Sequence, residues 1–255
     1  MSVMTDVLVT GAAGKMGSLS AATIATQKDL RLTALVDPRP GDGGETPWFR
    51  DVTSALALTS PTAALEFSVP GAVYGNAAEL LEAGVPTVVG ATGLDDDQVD
   101  DLSAKALASG AGLIIVPNFA LGAVLLMKFA ALAARHYEHA EIIETHEKGK
   151  IDAPSGTSLR TARLMAEAPG SALAAPPGAG QASRGLVAEE RVTIHSVRLP
   201  GAVAHQEVVF GGEDELLTLR HDSLSRRSFM GGVLLALRRV GEVEGVVLGL
   251  ENLLD

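Results

Sequence analysis

The chain contains no cysteine, and this absence excludes several kinds of chemistry. None of its 255 residues can form a disulfide, act as a thiolate nucleophile or bind a metal through sulfur. Aromatic residues make up only 4% of the chain and hydrophobic residues 47%, so we expect a core of mostly alanine, valine and leucine. The length suits one large domain or two smaller domains, each with its own core.

A long apolar segment is also missing. The longest apolar run, residues 121–134, contains Lys128 and is shorter than the roughly 20 residues of a membrane-spanning helix. No targeting segment is visible before Val7, so we expect a cytoplasmic protein with no membrane attachment. The formal net charge of −11 argues against nucleic acid as a partner, although a local basic pocket can still bind a small anion.

Strands and helices alternate over the first half of the chain, which predicts a parallel sheet covered on both faces. The expected strands span residues 7–10, 32–36, 64–68, 87–90 and 113–116. The expected helices span residues 16–27, 74–83 and 95–109. We therefore predict a Rossmann-type, doubly wound α/β domain over residues 1–117.

The pattern changes after Asn118. A helix at 121–136, a strand at 141–147 and a helix at 158–168 are followed by a loop at 169–188. Strands at 191–198, 203–210 and 215–220 come next, with short connections. This order predicts a second, α+β domain over residues 118–220 with a mostly antiparallel sheet. We expect residues 221–255, which include an apolar helix at 229–240, to return to the first domain.

A glycine loop joins the first predicted strand to the first helix. Gly11 permits a tight turn, Gly14 lets the backbone approach a pyrophosphate, and Gly17 lets helix and strand pack closely. The N–H groups at the start of the helix can then receive phosphate oxygens. The spacing is G-x-x-G-x-x-G rather than G-x-G-x-x-G, so a glycine turn that binds no nucleotide is the alternative.

The residues around this loop indicate a dinucleotide rather than a nucleoside triphosphate. Asp37 ends the second strand about 20 residues after the loop, where an acid can bind ribose hydroxyls. Lys15 is followed by Met16 rather than Ser or Thr, which disfavours a P-loop. Asp37 would repel the 2′-phosphate of NADPH whereas Lys15 and Arg39 would attract it, so both NADH and NADPH are plausible cofactors.

Two turns follow later strands of the predicted sheet, at residues 90–93 and 117–120. Ligands of open α/β sheets bind beyond the carboxyl ends of the strands, so these turns are candidates for contacts with the nicotinamide end of the cofactor. Each turn alone is also typical of an ordinary loop.

The stretch from Glu144 to Thr157 combines a proton donor, a cation and an anion site. The imidazolium of His146 is a competent acid near neutral pH, and Lys150 supplies a positive charge for a carboxylate or a developing anion. The hydroxyl and N–H groups of Ser155, Gly156 and Thr157 precede a helix and can hold a carboxylate. A structural histidine and a solvated lysine are the alternative.

A zinc site is not predicted here. His146-Glu147 begins like the zinc-protease motif H-E-x-x-H, but the fifth position is Lys150, so the second metal ligand is absent. We predict no metal site and assign no role to the histidines at 195, 205 and 221.

Taken together, these motifs resemble the dihydrodipicolinate reductase (4-hydroxy-tetrahydrodipicolinate reductase) family of lysine biosynthesis, over almost the whole chain. The resemblance rests on residues 11–17, 90–93, 117–120, 150–157, 201–211 and 220–223. The amino-acid sequences of the later motifs are similar to those of actinobacterial members.

The resemblance implies NADH or NADPH as cofactor and a cyclic dicarboxylate with a ring imine as substrate. It implies loss of water and hydride addition, and a homotetramer built by the C-terminal sheet. It implies that His146 is the proton donor or acceptor, that Lys150 is a proton donor or electrostatic partner, and that Gly156 and Thr157 hold a substrate carboxylate. Together with Arg39, the candidate cofactor-binding residues are Gly11, Ala12, Ala13, Gly14, Lys15, Met16, Asp37, Gly90, Ala91, Thr92, Val116, Pro117, Asn118 and Phe119.

The chain departs from the family pattern at Glu147, where a second histidine that contacts substrate is usual. We hypothesise that Glu147 weakens substrate binding, and that it turns out of the site or pairs with Lys148 or Lys150. A smaller departure is Ala91 in place of a common threonine. Two alternatives to the lysine-pathway reductase are a paralogue that reduces another cyclic imine dicarboxylate and a nucleotide-sensing protein without catalytic activity.

Overall fold

The structure, a computed structural model, describes residues 4–39, 41, 44–176 and 184–254. These residues form two compact units, and the chain passes from the first to the second after Phe119 and returns to the first at Phe229. The sequence-based boundary after residue 220 falls inside a strand that runs from Glu215 to Ser223, because that strand continues its antiparallel pairing to its end. Residues 177–183 of the predicted loop at 169–188 lie outside the described part of the chain.

The first unit is built around a seven-stranded sheet in the order β12-β6-β5-β4-β1-β2-β3, in which every neighbouring pair is parallel. Its strands are β1 (Thr5–Thr10), β2 (Leu30–Val36), β3 (Trp48–Phe49), β4 (Ala63–Glu66), β5 (Thr87–Val89), β6 (Leu113–Ile115) and β12 (Val246–Leu248). Its helices are α1 (Lys15–Ile24), α2 (Val52–Leu56), α3 (Pro70–Glu82), α4 (Asp96–Ser109) and α7 (Met230–Arg239). Short 3₁₀ turns span Val240–Glu242 and Leu250–Leu253.

Hydrophobic packing on both sides of this sheet explains why its central strands are continuous apolar runs. All four residues of β4 and the last four of β1 are buried. One core cluster packs Leu8 and Val36 of the sheet with Leu80 of α3, and another packs Val89 and Leu113 with the helices α3 and α4. The chain order reverses between β1 and β4, which creates a crevice at the carboxyl ends of these two strands.

The second unit is an α+β fold with a five-stranded sheet in the order β11-β10-β7-β9-β8. The strands β7 and β9 are parallel and the other three pairs are antiparallel. Its elements are α5 (Leu121–Ala133), β7 (His139–Glu147), α6 (Gly156–Glu167), β8 (Leu186–Ala188), β9 (Val192–Leu199), β10 (Ala204–Gly212) and β11 (Glu215–Ser223), with a 3₁₀ turn at Arg226–Phe229.

One face of this second sheet packs against α5 and α6. Ile142 and Phe210, which are fully buried, pack there with Ala130 of α5 and Met165 of α6. Because neighbouring side chains of a strand point to opposite faces, Ile143 lies on the other face, where it is 39% exposed. Among the described residues of this unit, the helices α5 and α6 pack on one face only, and the open face carries the exposed side chain of Ile143.

The prediction of a Rossmann-type parallel sheet plus a mostly antiparallel α+β domain is confirmed. Boundaries shift by a few residues: α3 begins at Pro70 rather than 74, α5 ends at Ala133 rather than 136, and α6 begins at Gly156 rather than 158. The short elements β3, α2, β8 and β12 were not predicted, since two to five residues carry too little periodicity to be recognised.

None of the helices in the described residues combines the length and the apolar character needed to span a lipid bilayer.

Candidate active site

The strand β7 places Glu144 and His146 on the same face of the second sheet, because residues two apart on a strand point the same way. Their neighbours on β9 are Ser196 and Arg198, which lie opposite Glu144 and His146 respectively. The face is the one covered by α6, so Glu144 has no exposed surface and His146 is partly buried near the end of the strand.

Glu144 and Arg198 form a buried ion pair with two hydrogen bonds. Nη1 of Arg198 donates to Oε2 of Glu144 at 2.8 Å, and Nη2 donates to Oε1 at 2.9 Å. The backbone N–H of Ser155 also donates to Oε1, at 3.2 Å. Burial alone would raise the pKa of Glu144, but hydrogen bonds from Arg198, Ser196 and His146 outweigh it and hold that pKa below its ordinary value. Glu144 is therefore ionised at neutral pH.

His146 contacts the same carboxylate, with its Nδ1 at 2.5 Å from Oε2 of Glu144. Burial lowers the pKa of His146, and the hydrogen bond and the charge of Glu144 oppose this only in part, while the charges of Lys150 and Arg198 add to the lowering. The lowered pKa favours the neutral ring, because desolvation penalises its charged form, and the role of His146 as an acid stays a prediction.

Lys150 lies on the loop that follows β7 and is paired with Asp152. Its Nζ donates to Oδ1 of Asp152 at 2.8 Å, and this hydrogen bond lowers the pKa of the aspartate. Arg198 fixes the same loop by donating to the backbone oxygens of Lys150, at 3.3 Å, and of Asp152, at 2.5 Å. The loop thus places a cation close enough to His146 to influence its pKa.

The predicted carboxylate turn forms the start of α6. Ser155 is the N-cap, since its Oγ accepts from the N–H of Ser158 at 3.2 Å and bonds to the Ser158 hydroxyl at 2.8 Å. Its hydroxyl is buried in the cap, which differs from the expectation that it lines the anion site. Gly156 and Thr157 form the first turn of the helix, where the dipole favours an anion.

Glu147 does not pair with Lys148 or Lys150. Its side chain is 56% exposed, and Nη2 of Arg226 donates to its Oε1 at 3.1 Å. Glu147 points to the face opposite that of His146 because it is the next residue on the strand. Sequence reasoning missed Arg226, which lies 79 residues away from Glu147.

In the first unit, the glycine loop leaves no room for side chains. Gly11 has φ +61°, and a Cβ there would lie 2.3 Å from the backbone oxygen of Phe67. A Cβ on Gly17 would lie 2.1 Å from the backbone oxygen of Gly11. Gly14 is the N-cap of α1 and provides no side-chain cap, so the start of α1 is suited to bind phosphate oxygens. The loop fits a dinucleotide pyrophosphate.

Asp37 lies beside this loop and is almost fully buried. Its Oδ2 accepts from the N–H of Ala13 at 3.2 Å, and its Oδ1 accepts from the N–H of Arg39 at 2.9 Å. The Arg39 side chain is 88% exposed, with Nε 3.9 Å from Oδ1 of Asp37, and Lys15 is exposed at the start of α1. A buried acid and two exposed cations are thus close to one loop.

The other candidate cofactor residues follow the carboxyl ends of neighbouring parallel strands. Gly90, Ala91 and Thr92 come after β5, and residues 116–119 come after β6. The rings of Phe67 and Phe119 pack edge to face, with centroids 5.5 Å apart, and a Cβ on Gly90 would collide with both. The glycine is therefore required by this aromatic pair.

Sequence reasoning also missed Glu66, a buried carboxylate at the end of β4. It accepts hydrogen bonds from the Thr10 hydroxyl, from the N–H of Ser68 at 2.5 Å and from Nδ2 of Asn76 at 3.1 Å. Burial raises the pKa of Glu66, and these hydrogen bonds oppose the rise. Glu66 joins the ends of β1 and β4 beside the crevice. Its place inside an apolar strand was the signal that could have revealed it.

Two of the histidines given no role form pairs on the second sheet. Nε2 of His195 lies 2.7 Å from Oε2 of Glu141, and Nδ1 of His205 lies 2.6 Å from Oδ1 of Asp222. These contacts are separate from the cluster around Glu144.

Family models match both units. A model described as "Dihydrodipicolinate reductase, N-terminus" matches residues 5–119, and "Dihydrodipicolinate reductase, C-terminus" matches residues 122–254. A 4-hydroxy-tetrahydrodipicolinate reductase of Moorella thermoacetica is 42% identical over 260 residues, covering 98% of this chain and 97% of that relative. The same enzyme of Listeria monocytogenes serotype 4b is 41% identical over 265 residues, covering 98% and 99%.

Solved structures show the same likeness. A dipicolinate-bound dihydrodipicolinate reductase from Paenisporosarcina sp. TG-14 has a TM-score of 0.87 and 38% identity, covering 99% of this chain and all of that one. A probable dehydrogenase from Thermotoga maritima has a TM-score of 0.69 at 14% identity over 97% of this chain and 92% of that one, which shows a shared fold alone.

The geometry of the glycine loop predicts the effect of one methyl group. In Gly17→Ala the new Cβ collides with backbone atoms of the loop, so we expect loss of dinucleotide binding by at least about tenfold, which corresponds to roughly 1.4 kcal/mol. The matched control is Gly75→Ala in α3, where a Cβ meets nothing within 4 Å. Titration of reduced cofactor fluorescence measures both, and wild-type affinity in Gly17→Ala would contradict the close packing.

Proposed function

Since the chain belongs to the dihydrodipicolinate reductase family, we propose specific roles for its residues in the reduction of 4-hydroxy-tetrahydrodipicolinate to tetrahydrodipicolinate. This NAD(P)H-dependent reaction is a step of lysine and diaminopimelate biosynthesis, and the chain is an oxidoreductase of that pathway. The observation that carries the proposal is the cluster at the end of β7, where His146, the Lys150 loop and the start of α6 meet around Glu144.

The first unit is proposed to bind the dinucleotide and the second to bind the substrate. In the sequence-based division these correspond to residues 1–117 with 221–255 and to residues 118–220. The cofactor-binding residues are proposed to be the loop from Gly11 to Met16, Asp37 and Arg39, and the turns at 90–92 and 116–119. When bound, reduced nicotinamide supplies the hydride.

The substrate is proposed to bind at the second unit through its two carboxylates. The start of α6, at Gly156 and Thr157, receives one carboxylate, because the helix dipole and the N–H groups of the first turn favour an anion. Ser155 stabilises the start of the helix as its N-cap, because its Oγ accepts a hydrogen bond from the N–H of Ser158. Lys150 exchanges its contact with Asp152 for the substrate anion and adds its charge. The planar dicarboxylate dipicolinate, bound to the Paenisporosarcina relative, is a suitable probe.

His146 is proposed to hold and transfer the proton at Nε2. The lowered pKa of His146 favours the neutral ring. A dianionic substrate close to the ring raises that pKa, since a negative charge favours the imidazolium. His146 thus takes up a proton when the substrate binds. It can deliver that proton to the substrate, whose ring loses water and gains a hydride and a proton.

Steady-state kinetics of paired variants test these roles. The substrate is generated in situ from pyruvate and aspartate semialdehyde by the preceding synthase, and NADH or NADPH oxidation is followed by absorbance. We expect kcat of His146→Gln to fall about 100-fold or more, because general acid–base catalysis is lost. We expect KM of Lys150→Met to rise, because a charge that binds the substrate is lost.

The matched controls are His136→Gln and Lys148→Met, whose side chains are exposed and outside the cluster. Both are expected to retain wild-type kinetics. Full turnover in His146→Gln would remove that residue from the mechanism. Cofactor binding without turnover of this substrate by the wild-type protein would favour a paralogous reductase or a silent nucleotide sensor.

Glu147 is proposed to be neutralised by Arg226 and so to be tolerated near a dianionic substrate. In Arg226→Gln the unpaired Glu147 repels the substrate, and we expect KM to rise about two- to fivefold, as for an exposed ion pair. Adding Glu147→Gln should restore KM, because the repelling charge is gone. Initial-rate kinetics measure KM of Arg226→Gln and of the double variant. An equal rise of KM in the double variant would show that Arg226 acts on the substrate directly.

The open face of the second sheet is proposed to assemble a homotetramer. Ile143, Leu199 and Leu216 are 39%, 52% and 76% exposed, and by pairing register they lie on the face that the helices of this unit leave uncovered. Sedimentation equilibrium should give four times the mass of one chain, and Ile143→Arg should lower the mass. A wild-type monomer at micromolar concentration would contradict the assembly.

The enzyme is proposed to work in the cytoplasm, where the NAD(P)H for reductive biosynthesis is available. The lack of cysteine is compatible with a reducing compartment.

A further inference from the structure

We propose that Glu144 is a positioning residue of this reductase, which orients His146 through Nδ1 and fixes the tautomer that leaves Nε2 as the reacting nitrogen. The inference rests on the role proposed above for His146. Glu144 acts through the imidazole and through Arg198, and it does not itself react with the substrate.

An ionised carboxylate carries no proton, so Glu144 in that state accepts hydrogen bonds and donates none. Its environment favours that state, since Arg198 supplies a positive charge with two hydrogen bonds and the N–H of Ser155 supplies a third donor. The Nδ1 atom of His146 lies 2.5 Å from Oε2 of this group. Two acceptors cannot share one hydrogen bond, so Nδ1 must carry the proton and donate it to Glu144.

This assignment determines the chemistry of the other ring nitrogen. A neutral imidazole has one N–H group, so a proton on Nδ1 leaves the lone pair of Nε2 free to accept a proton. When the ring is protonated, Nδ1 stays bonded to Glu144 and Nε2 becomes the donor. The proton that is exchanged with the substrate is therefore always the one on Nε2, and the ring need not rotate between the two states.

Arg198 extends the same control to the loop that carries Lys150. It donates to the backbone oxygens of Lys150 and Asp152 while it holds both oxygens of Glu144. One buried carboxylate thus fixes the histidine directly and the lysine loop through one intervening side chain. The N–H of Ser155 adds the start of α6 to the same carboxylate.

A second histidine–carboxylate pair on β7 serves as an internal comparison. Glu141 contacts His195 at 2.7 Å through Oε2 and Arg184 through Oε1, but the side chains of Glu141 and His195 are about one-third exposed and lie on the open face of the sheet. The Glu144 pair differs in having no exposed carboxylate surface and one guanidinium that meets both oxygens. Neutralising each carboxylate in turn therefore separates a positioning role from a general effect of removing a negative charge from β7.

The test is the variant Glu144→Gln, followed by kcat/KM between pH 5 and 9 on the full-length enzyme. The amide can donate to Nδ1, which places the ring proton on Nε2 and removes the acceptor there. We expect kcat/KM at neutral pH to fall about 100-fold or more, chiefly through kcat, while KM changes little. The limb of the pH profile that reports His146 should move to lower pH by about one unit or more, because the carboxylate that favours the imidazolium is gone.

The matched control is Glu141→Gln, with its oligomeric state checked by sedimentation, and it should keep the wild-type pH profile. A double-mutant cycle with His146→Gln supplies the second readout. If Glu144 acts through the imidazole, Glu144→Gln should lower the residual kcat/KM of His146→Gln by less than about threefold. An equal loss in both backgrounds would mean a purely structural role and would overturn the inference, as would a folded Glu144→Gln with wild-type kcat and pH profile.

The amide variant leaves the buried charge of Arg198 without its partner, which destabilises the fold. If it does not fold, Glu144→Asp takes its place, because it keeps the ion pair and retracts the carboxylate from Nδ1. A smaller fall in kcat/KM and a smaller shift of the pH profile are then expected. Wild-type kinetics in Glu144→Asp would overturn the inference. If His146→Gln itself keeps full turnover, the proposed role of His146 fails. If His146→Gln is inactive while the Glu144 variants behave as wild type, the positioning role alone fails.

Discussion

The buried carboxylate of Glu144 is the constraint on which the second unit's site depends. An ionised group with no exposed surface is costly unless every oxygen is paired, and Arg198 meets both oxygens with charged hydrogen bonds. The two carboxylate oxygens also accept hydrogen bonds from the N–H of Ser155 and from Nδ1 of His146. The end of β7, the lysine loop and the start of α6 follow one another in the chain, and Glu144 holds them against the end of β9, which is distant in the chain.

The same contacts distinguish Arg198, which stabilises the site, from Lys150 and His146, which are proposed to act on the substrate. Arg198 is committed to Glu144 and to backbone oxygens, so it stabilises the site and is not available for the substrate carboxylates. Within the described part of the chain the Lys150 ammonium is paired with Asp152, which is 58% exposed, and it is proposed to exchange that partner for a substrate anion. Burial lowers the pKa of His146 and the carboxylate of Glu144 opposes that shift, so the negative charge of a bound substrate is proposed to raise this pKa.

The fold, and the loops and strand ends on which the candidate residues lie, could be predicted from the sequence because they depend on local patterns. Alternation of apolar strands with helices indicates a parallel sheet, and the spacing of Gly11, Gly14 and Gly17 marks the nucleotide loop. Glu144 also left a signal, since a residue two positions before His146 on a strand shares its face. The position alone does not predict a buried carboxylate, because a glutamate in a strand with polar alternation is usually exposed.

The partners could not be predicted, because they come from strand register and from distant segments. Arg198 is 54 residues from Glu144, and only the parallel pairing of β7 with β9 brings them together. The same holds for Arg226, which replaces the neighbouring lysines as the partner of Glu147. Ser155 was expected to face the anion, but a serine that precedes a helix is more strongly required as its cap. In each case tertiary contacts decided between local alternatives.

The central claim is that the ionised Glu144 holds His146 with a proton on Nδ1 and with Nε2 free. Nitrogen NMR of the protein labelled with ¹⁵N in its histidine side chains tests this directly, with the His146 signals assigned by their loss in His146→Gln. At a pH above the pKa of the ring, the account predicts a protonated, pyrrole-type Nδ1 coupled to its hydrogen and an unprotonated, pyridine-type Nε2. A pyrrole-type Nε2 with an unprotonated Nδ1 would contradict it.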